Sequence, residues 1–248
     1  MARRVLLQRI GYVSRRQERN RTLHEIFLWQ GLELLIRSDS VDRAELEWMA
    51  GSSLWQAFEA AEVSPDDVVL DLGAHIGSFA LLAASRRQCM VVGFEPDQES
   101  LRLCRINISL NALENRIVCH RFAIGGRSEP LFLYEATENW AHTIVDKGGP
   151  HNILTGRRTE VPCLSLADAI AQIGSAQCAF LKFNIEGAEF DMIENADGNT
   201  LRRIKMMAGE MHPDIGARSL DPVLSRLADA GFSTDFIREH SIVVAVRQ

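Results

Sequence analysis

Residues 68–79 read VVLDLGAHIGSF, and this stretch decides the fold. A β-branched apolar run (Val68, Val69, Leu70) meets an acid at Asp71, crosses glycines at Gly73 and Gly77, and enters a helical apolar pattern. The order predicts a strand, a tight turn and a helix. Glycines let the backbone turn sharply and approach a ligand with no Cβ in the way, and a helix start offers unpaired N–H groups to an anion. A dinucleotide turn reads G-x-G-x-x-G. Here D-L-G-A-H-I-G puts an acid at the strand end and lacks the third glycine, so that pattern is not met.

An acid beside such a turn suits a ligand with a cationic end, and S-adenosylmethionine carries an ammonium and a sulfonium there. One βαβ unit later a second apolar strand, residues 89–95, closes on Glu95, where a carboxylate can accept both hydroxyls of a ribose. Onward, the pattern predicts a helix over 97–110, a strand over 116–122 and an extended segment over 130–135. Residues 136–158, with Asn139, Trp140, His142, Thr143 and His151, show little periodicity and read as a substrate-side loop. A helix over 165–173, a strand over 178–184, a helix after Glu189, a strand over 206–211, a helix over 219–230 and two strands over 232–237 and 241–247 follow. This alternation predicts an α/β fold: a mostly parallel, Rossmann-like sheet with an antiparallel edge strand.

Backward from Val68, the spacing of Leu23, Ile26, Phe27, Leu34 and Leu35 predicts a helix over 22–38, weakened by Gly31. A second helix is expected over 42–61, with Trp48, Trp55 and Phe58 on its apolar side. The chain therefore divides into residues 1–62, a basic arm and helices laid over the active site, and 63–248, the ligand-binding domain.

Composition excludes several classes. At 248 residues with 46 % hydrophobic and 24 % charged, the chain is an ordinary globular protein. The longest N-terminal apolar piece, 5–13, is broken by Gln8 and Arg9, so no membrane span or signal core is expected. Five unpaired-looking cysteines read as reduced core residues of a cytoplasmic protein. Residues 1–21 hold seven arginines against Glu18, a net +6 within a chain of net −6, so the remainder carries −12. That acidic body does not suit a nucleic-acid substrate, and the amphipathic arm is read as packing on the body or on a second subunit of a homodimer.

With these motifs in order, VVLDLGAHIGSF (68–79), VVGFEPD (91–97), FAIGG (122–126), LSLADAI (164–170), FLKFNIEGAEFDMIE (180–194) and GEMHP (209–213), the chain resembles FkbM-type S-adenosylmethionine-dependent methyltransferases. The resemblance implies the seven-stranded class I methyltransferase sheet, S-adenosylmethionine as cofactor, and O-methylation of a small-molecule acceptor such as a natural product or sugar. Carried over, Asp71, Gly73, Ala74, His75 and Gly77 would line the methionine end. Glu95 would hold the ribose, Pro96 and Asp97 would border the adenosine, and Ala123 and Ile124 the adenine. Glu186, just after the fourth parallel strand, could hold the cofactor ammonium or the acceptor. Two departures stand out: His75 replaces the asparagine of G-A-N-I-G, and Asn184 replaces the aspartate of L-K-x-D-x-E-G-A-E. An amide orients a ligand but takes no proton at neutral pH.

A hydroxyl acceptor must lose its proton. His212, after the fifth parallel strand, is the first candidate base, with Glu210 two residues earlier placed to orient it or to bind the acceptor. His142 on the long loop is the second. Asn184, Glu210 and His212 could in principle ligate a divalent ion, but without the aspartate a hard-cation site loses a charge, and no metal is expected. Amine and carboxylate acceptors stay open. So does a catalytically degenerate binding protein on the same fold, for which Asn184 would be the mark.

Overall fold

The computed structural model of the chain describes residues 23–138, 141–148 and 152–248; the Arg-rich arm, Asn139, Trp140 and His151 lie outside them. The described part begins with a hairpin, not a helix. β1 (His24–Trp29) pairs antiparallel with β2 (Leu32–Arg37), with Trp29 opposite Leu32. The turn is Gln30–Gly31, both at positive φ (51° and 82°), whose twist matches that of paired strands. The glycine that weakened the predicted helix is thus the hairpin turn. β2 is buried at five of its six positions, so it shows no alternation to distinguish it from a helix. The single helix expected over 42–61 is two, α1 (Asp42–Gly51) and α2 (Ser53–Ala60). Ser52 between them is extended, and its hydroxyl accepts the N–H of Trp55, capping the second helix.

Next come β3 (Val68–Leu72), α3 (Ser78–Arg87), β4 (Met90–Phe94), α4 (Gln98–Leu110) and β5 (Ile117–His120), close to the predicted spans. β6 (Ala123–Gly125), β7 (Leu131–Ala136), β8 (Leu154–Val161) and β9 (Cys163–Ser165) form a side layer, in which β6 pairs with β9 and β7 with β8. β8 takes the last part of the stretch read as irregular. α5 (Leu166–Ala171), β10 (Cys178–Phe183), α6 (Glu189–Asn195), α7 (Gly198–Arg202), β11 (Ile204–Glu210), α8 (Asp221–Asp229), β12 (Phe232–Ile237) and β13 (Ile242–Arg247) complete the order.

The main sheet runs β12-β13-β11-β10-β3-β4-β5. It is the expected seven-stranded, mostly parallel sheet; near its edge β13 runs antiparallel to both β11 and β12. Strand order reverses at β3: β4 and β5 lie to one side, β10 and β11 to the other. Ligands of open α/β sheets gather at the carboxyl ends of strands at such a reversal. No helix among the described residues is long and apolar enough to cross a membrane.

The N-terminal segment shares the core of the sheet. Phe58 of α2 meets Phe79 of α3 and Phe180 of β10 edge-on, with ring centroids 5.2 Å apart in both cases. Each such buried side chain is worth about 1.5–3 kcal/mol. Trp55 joins this cluster, so both aromatic residues are core. On the other side, Asn107 of α4 and Asn111, which caps the end of that helix, grip β2. Asn107 accepts the N–H of Leu35 (2.7 Å) and donates to its carbonyl (3.3 Å), and Asn111 does the same for Glu33 (3.0 and 2.8 Å). Two strand residues rise about 6.6 Å and four helical residues about 6 Å, so amides at i and i+4 match strand positions two apart. Asn107 also donates to the carbonyl of Ile76 at 3.0 Å, tying β2 to the turn after β3.

Candidate functional site

Gly73 has φ +79°, and a Cβ there would lie 1.9 Å from the carbonyl oxygen of Asn184. Only glycine fits where the ends of β3 and β10 meet. The N–H groups of Gly73 and Ala74 both donate to the carbonyl of Phe94 (3.0 and 2.9 Å), fixing the turn to β4. His75 takes a left-handed φ of 50°, which His, Asn and Asp adopt more readily than most residues.

Beneath the turn, Lys182, Asp71, Gly93 and Cys119 lie in one row across four strands. Lys182 Nζ is 3.0 Å from Asp71 Oδ1 and donates to the carbonyls of Gly73 (2.6 Å) and Leu72 (3.3 Å), with both charged side chains buried. Burial pushes the Asp71 carboxyl up from its ordinary range, and Lys182 opposes that shift. Asp71 therefore does not face a ligand as expected; it anchors the lysine that holds the turn's carbonyls.

Above the turn is a cavity with about 840 Å³ of empty space, mouth included. Of the residues expected at the cofactor, Gly73, His75, Glu95, Pro96, Ala123, Ile124 and Glu186 line it, as do His142 and Asn184. Ala74, Gly77 and Asp97, also expected at the cofactor, are not among its lining residues. Ala74 is buried beside Gly93, and Gly77 caps the start of α3 at φ 93°, where a Cβ would come within 3.0 Å of Cys104 Sγ. The Asp97 side chain accepts the N–H of Ser100 and caps α4. Glu95 is 8 % exposed; one oxygen accepts the N–H of His75 (2.7 Å) and the other that of Asp97 (2.8 Å). A lone pair on each oxygen remains for the cavity. Burial pushes this carboxyl up to about 7, against the pull of the two N–H groups.

A second cavity adjoins the first through Trp48 and Glu186, which line both, and continues past Glu210, His212 and His240. Glu186 has φ 53° and Gly187 φ 98°, two left-handed residues in succession after β10. Non-glycine residues hold such geometry only where their surroundings enforce it. Here Glu189 accepts the N–H groups of Ile185 (3.1 Å) and Gly187 (2.9 Å), Thr143 donates to the Glu186 carbonyl (2.5 Å), and Asn152 donates to the Glu186 carboxylate (3.0 Å). Burial pushes the Glu186 carboxyl up to about 7, with His212 working against it.

His212 sits among three carboxylates: Nδ1 is 2.9 Å from Glu189, and Nε2 is 3.5 Å from Glu186 and 3.9 Å from Glu210. Burial alone would disfavour its cation, but the carboxylates, Glu189 foremost, raise the imidazole to about 10. A doubly protonated ring has no lone pair for a proton, so the base reading of His212 gives way to that of a cation binding the cluster together. His142 is also constrained: its Nδ1 accepts the N–H of Ala136 (3.2 Å), which puts the proton of the neutral ring on Nε2 and makes it a donor. Glu210 remains. One of its oxygens accepts from Asn184 Nδ2 (3.2 Å), and burial raises its carboxyl while His212 draws it down. Asn184 Oδ1 is buried without a hydrogen-bond partner among the described residues.

Sequence reasoning gave no role to Lys182, Glu189, Glu45 or Arg37. Glu45, on α1, lines the first cavity, and burial with Glu210 and Asp42 nearby pushes it up to about 7. A lysine inside the apolar run FLKF was the one available signal, since a buried cation demands a partner.

A family profile described as the methyltransferase FkbM domain matches residues 71–234. The 31-O-demethyl-FK506 methyltransferase FkbM of Streptomyces tacrolimicus is 27 % identical, over 69 % of this chain and 75 % of its own length. The hexuronic acid methyltransferase AglP of Haloferax volcanii is 20 % identical, over 75 % of this chain and 73 % of its own. The AMB antimetabolite synthetase AmbE of Pseudomonas aeruginosa is 25 % identical over 74 % of this chain, which spans only 10 % of that protein's length. Among solved structures, the METTL16 methyltransferase domain aligns with a TM-score of 0.48 at 13 % identity, over 82 % of this chain and 66 % of its own.

Proposed function

Because the chain belongs to the FkbM methyltransferase family, we propose that it transfers a methyl group from S-adenosylmethionine to a hydroxyl of a small polar molecule. The observation that carries the cofactor is the pairing of Glu95 with the Gly73 turn. A carboxylate with spare lone pairs stands just past the end of β4, and the Gly73 turn, held where a Cβ would strike the Asn184 carbonyl, lines the same cavity. The ribose hydroxyls of S-adenosylmethionine fit Glu95, its flat base fits between Pro96, Ala123 and Ile124, and its ammonium fits the Glu186 end. When bound, the cofactor supplies a methyl group on a sulfonium leaving group.

The chain's own residues do the rest. The turn, fixed by Lys182 and Phe94, holds one reactant and the second cavity holds the other; such alignment supplies effective molarities on the order of 10⁵–10⁸ M. Glu210, which lines the second cavity and is bonded to Asn184 of the first, accepts the proton of the acceptor hydroxyl, a step typically worth about 10²–10⁴-fold. Burial raises the Glu210 carboxyl, and the His212 cation beside it works against that shift, toward the ionised form a base needs. Asn184 holds one oxygen of Glu210 and offers its unpartnered Oδ1 to a donor of cofactor or acceptor. An aspartate at 184 would add a carboxylate beside Glu210, so the amide serves this arrangement and is not by itself a mark of lost catalysis. The names of two relatives support the reading: one acts on an oxygen of a natural product and the other on a hexuronic acid.

The test is incubation with methyl-labelled S-adenosylmethionine and a panel of small polyols, amines and carboxylic acids. Label on a hydroxyl acceptor supports the proposal. Label only on amines or carboxylates moves the chemistry, and the absence of transfer to every compound favours a binding protein.

A further inference from the structure

Arg37 ends β2, outside the span matched by the family, and its side chain is buried at 3 % exposure. Its guanidinium forks onto Asp42, with Nε at 2.9 Å and Nη2 at 2.8 Å, and Asp42 also accepts the Arg37 backbone N–H at 2.8 Å. The remaining donors reach Ser100 Oγ (Nη1, 3.3 Å) and His75 Nε2 (Nη2, 2.7 Å). Arginine only donates, so at 2.7 Å the Nε2 of His75 must be the acceptor. A neutral imidazole that accepts at Nε2 carries its proton on Nδ1. His75 lines the first cavity, and its Nδ1 makes no hydrogen bond among the described residues. The same residue gives its backbone N–H to Glu95.

We propose that Arg37 is a positioning residue of the cofactor site: it fixes His75 as the Nδ1–H tautomer, so that the ring presents a hydrogen-bond donor to an acceptor atom of the bound cofactor. This rests on the S-adenosylmethionine reading given above. Burial, with the Arg37 charge next in weight, lowers the imidazole to about 4, so the ring stays neutral and the tautomer is set by Arg37 across the physiological range. The Arg37–Asp42 pair is therefore more than a brace for the hairpin. It makes β2 and the start of α1 part of a site whose other residues all follow Val68 or line the cavity from α1.

The test titrates four proteins with S-adenosylhomocysteine: the wild type, Arg37→Met, His75→Asn and the double variant. Asparagine tolerates a left-handed φ and offers an amide donor that needs no tautomer. Arg37→Met in the wild-type background is expected to weaken binding roughly tenfold, the loss of about one good hydrogen bond to a neutral or charged partner. In the His75→Asn background the same change is expected to cost less than about twofold, because the residue it acts through is gone. An equal loss in both backgrounds, or none in the first, overturns the proposal. Should Arg37→Met fail to fold, nitrogen-15 spectra of the wild-type histidines decide it: protonated Nδ1 and unprotonated Nε2 at His75 support the proposal, and the opposite tautomer overturns it. Wild-type protein that binds no S-adenosylhomocysteine would sink the cofactor reading instead, while the tautomer measurement still judges Arg37.

Discussion

Replacing Lys182 by methionine isolates the interaction on which the turn rests. Asp71 is wholly buried, and Lys182 Nζ at 3.0 Å is the cation beside it. Without the lysine, Asp71 folds only as the neutral acid, so the folded chain must take up a proton. Each pH unit above the ordinary carboxyl value of 3.8 then costs up to about 1.4 kcal/mol relative to an ionised Asp71, an upper bound of roughly 5 kcal/mol at pH 7.5 and roughly 1.6 kcal/mol at pH 5, because burial already raises the carboxyl in the wild type. The neutral-pH figure agrees with the 3–5 kcal/mol typical of breaking a buried pair by removing one partner. At about 2–4 °C per kcal/mol for a domain of this size, Lys182→Met should lower Tm by roughly 10–20 °C at pH 7.5. The loss should be about one third as large at pH 5. Differential scanning calorimetry at the two values measures both, and the double variant Lys182→Met with Asp71→Leu should recover most of the loss. A Tm within about 2 °C of wild type at pH 7.5, or a penalty independent of pH, would refute the reasoning.

Gly73→Ala places a Cβ 1.9 Å from the Asn184 carbonyl at a φ that costs a further 1–2 kcal/mol or so, and it should abolish detectable S-adenosylhomocysteine binding; retained affinity would show that the turn gives way. Stability should also fall as pH rises. Glu45, Glu95 and Glu186, raised from 4.5 to about 7, contribute fully below 4.5 and lose that contribution as pH climbs through 7, and His212, raised from 6.5 to about 10, loses its own toward pH 10. Thermal melts between pH 5 and 9 should therefore decline, and a rise over that range contradicts these assignments. Glu210→Gln should leave S-adenosylhomocysteine affinity within about threefold and lower methyl transfer by about 10²-fold or more; turnover at the wild-type rate would remove Glu210 as the base.

The strand, turn and helix at 68–79 were legible because β-branched residues, an acid and two glycines constrain the backbone locally. The sheet order followed from the alternation of elements. The N-terminal hairpin was not legible, since β2 is buried almost throughout and its register depends on Asn107 and Asn111, more than seventy residues away. Motif positions identified the floor of the site but not which side chains face the ligand. Asp71 turns to Lys182 and Gly77 packs closely against Cys104, and those neighbours come from other elements. His212 illustrates the same limit for charge. Whether a histidine is a base or a cation depends on the carboxylates around it, and two of its three come from other elements, Glu186 from the turn after β10 and Glu189 from the start of α6.

The most direct measurement is calorimetric titration of the wild type and of Glu95→Ala with S-adenosylhomocysteine, beside NAD as a control. The account predicts micromolar binding of S-adenosylhomocysteine alone, weakened by a few kcal/mol when Glu95 is removed, the scale of lost charged hydrogen bonds. Binding that survives Glu95→Ala unchanged, or no binding by the wild type, would contradict it.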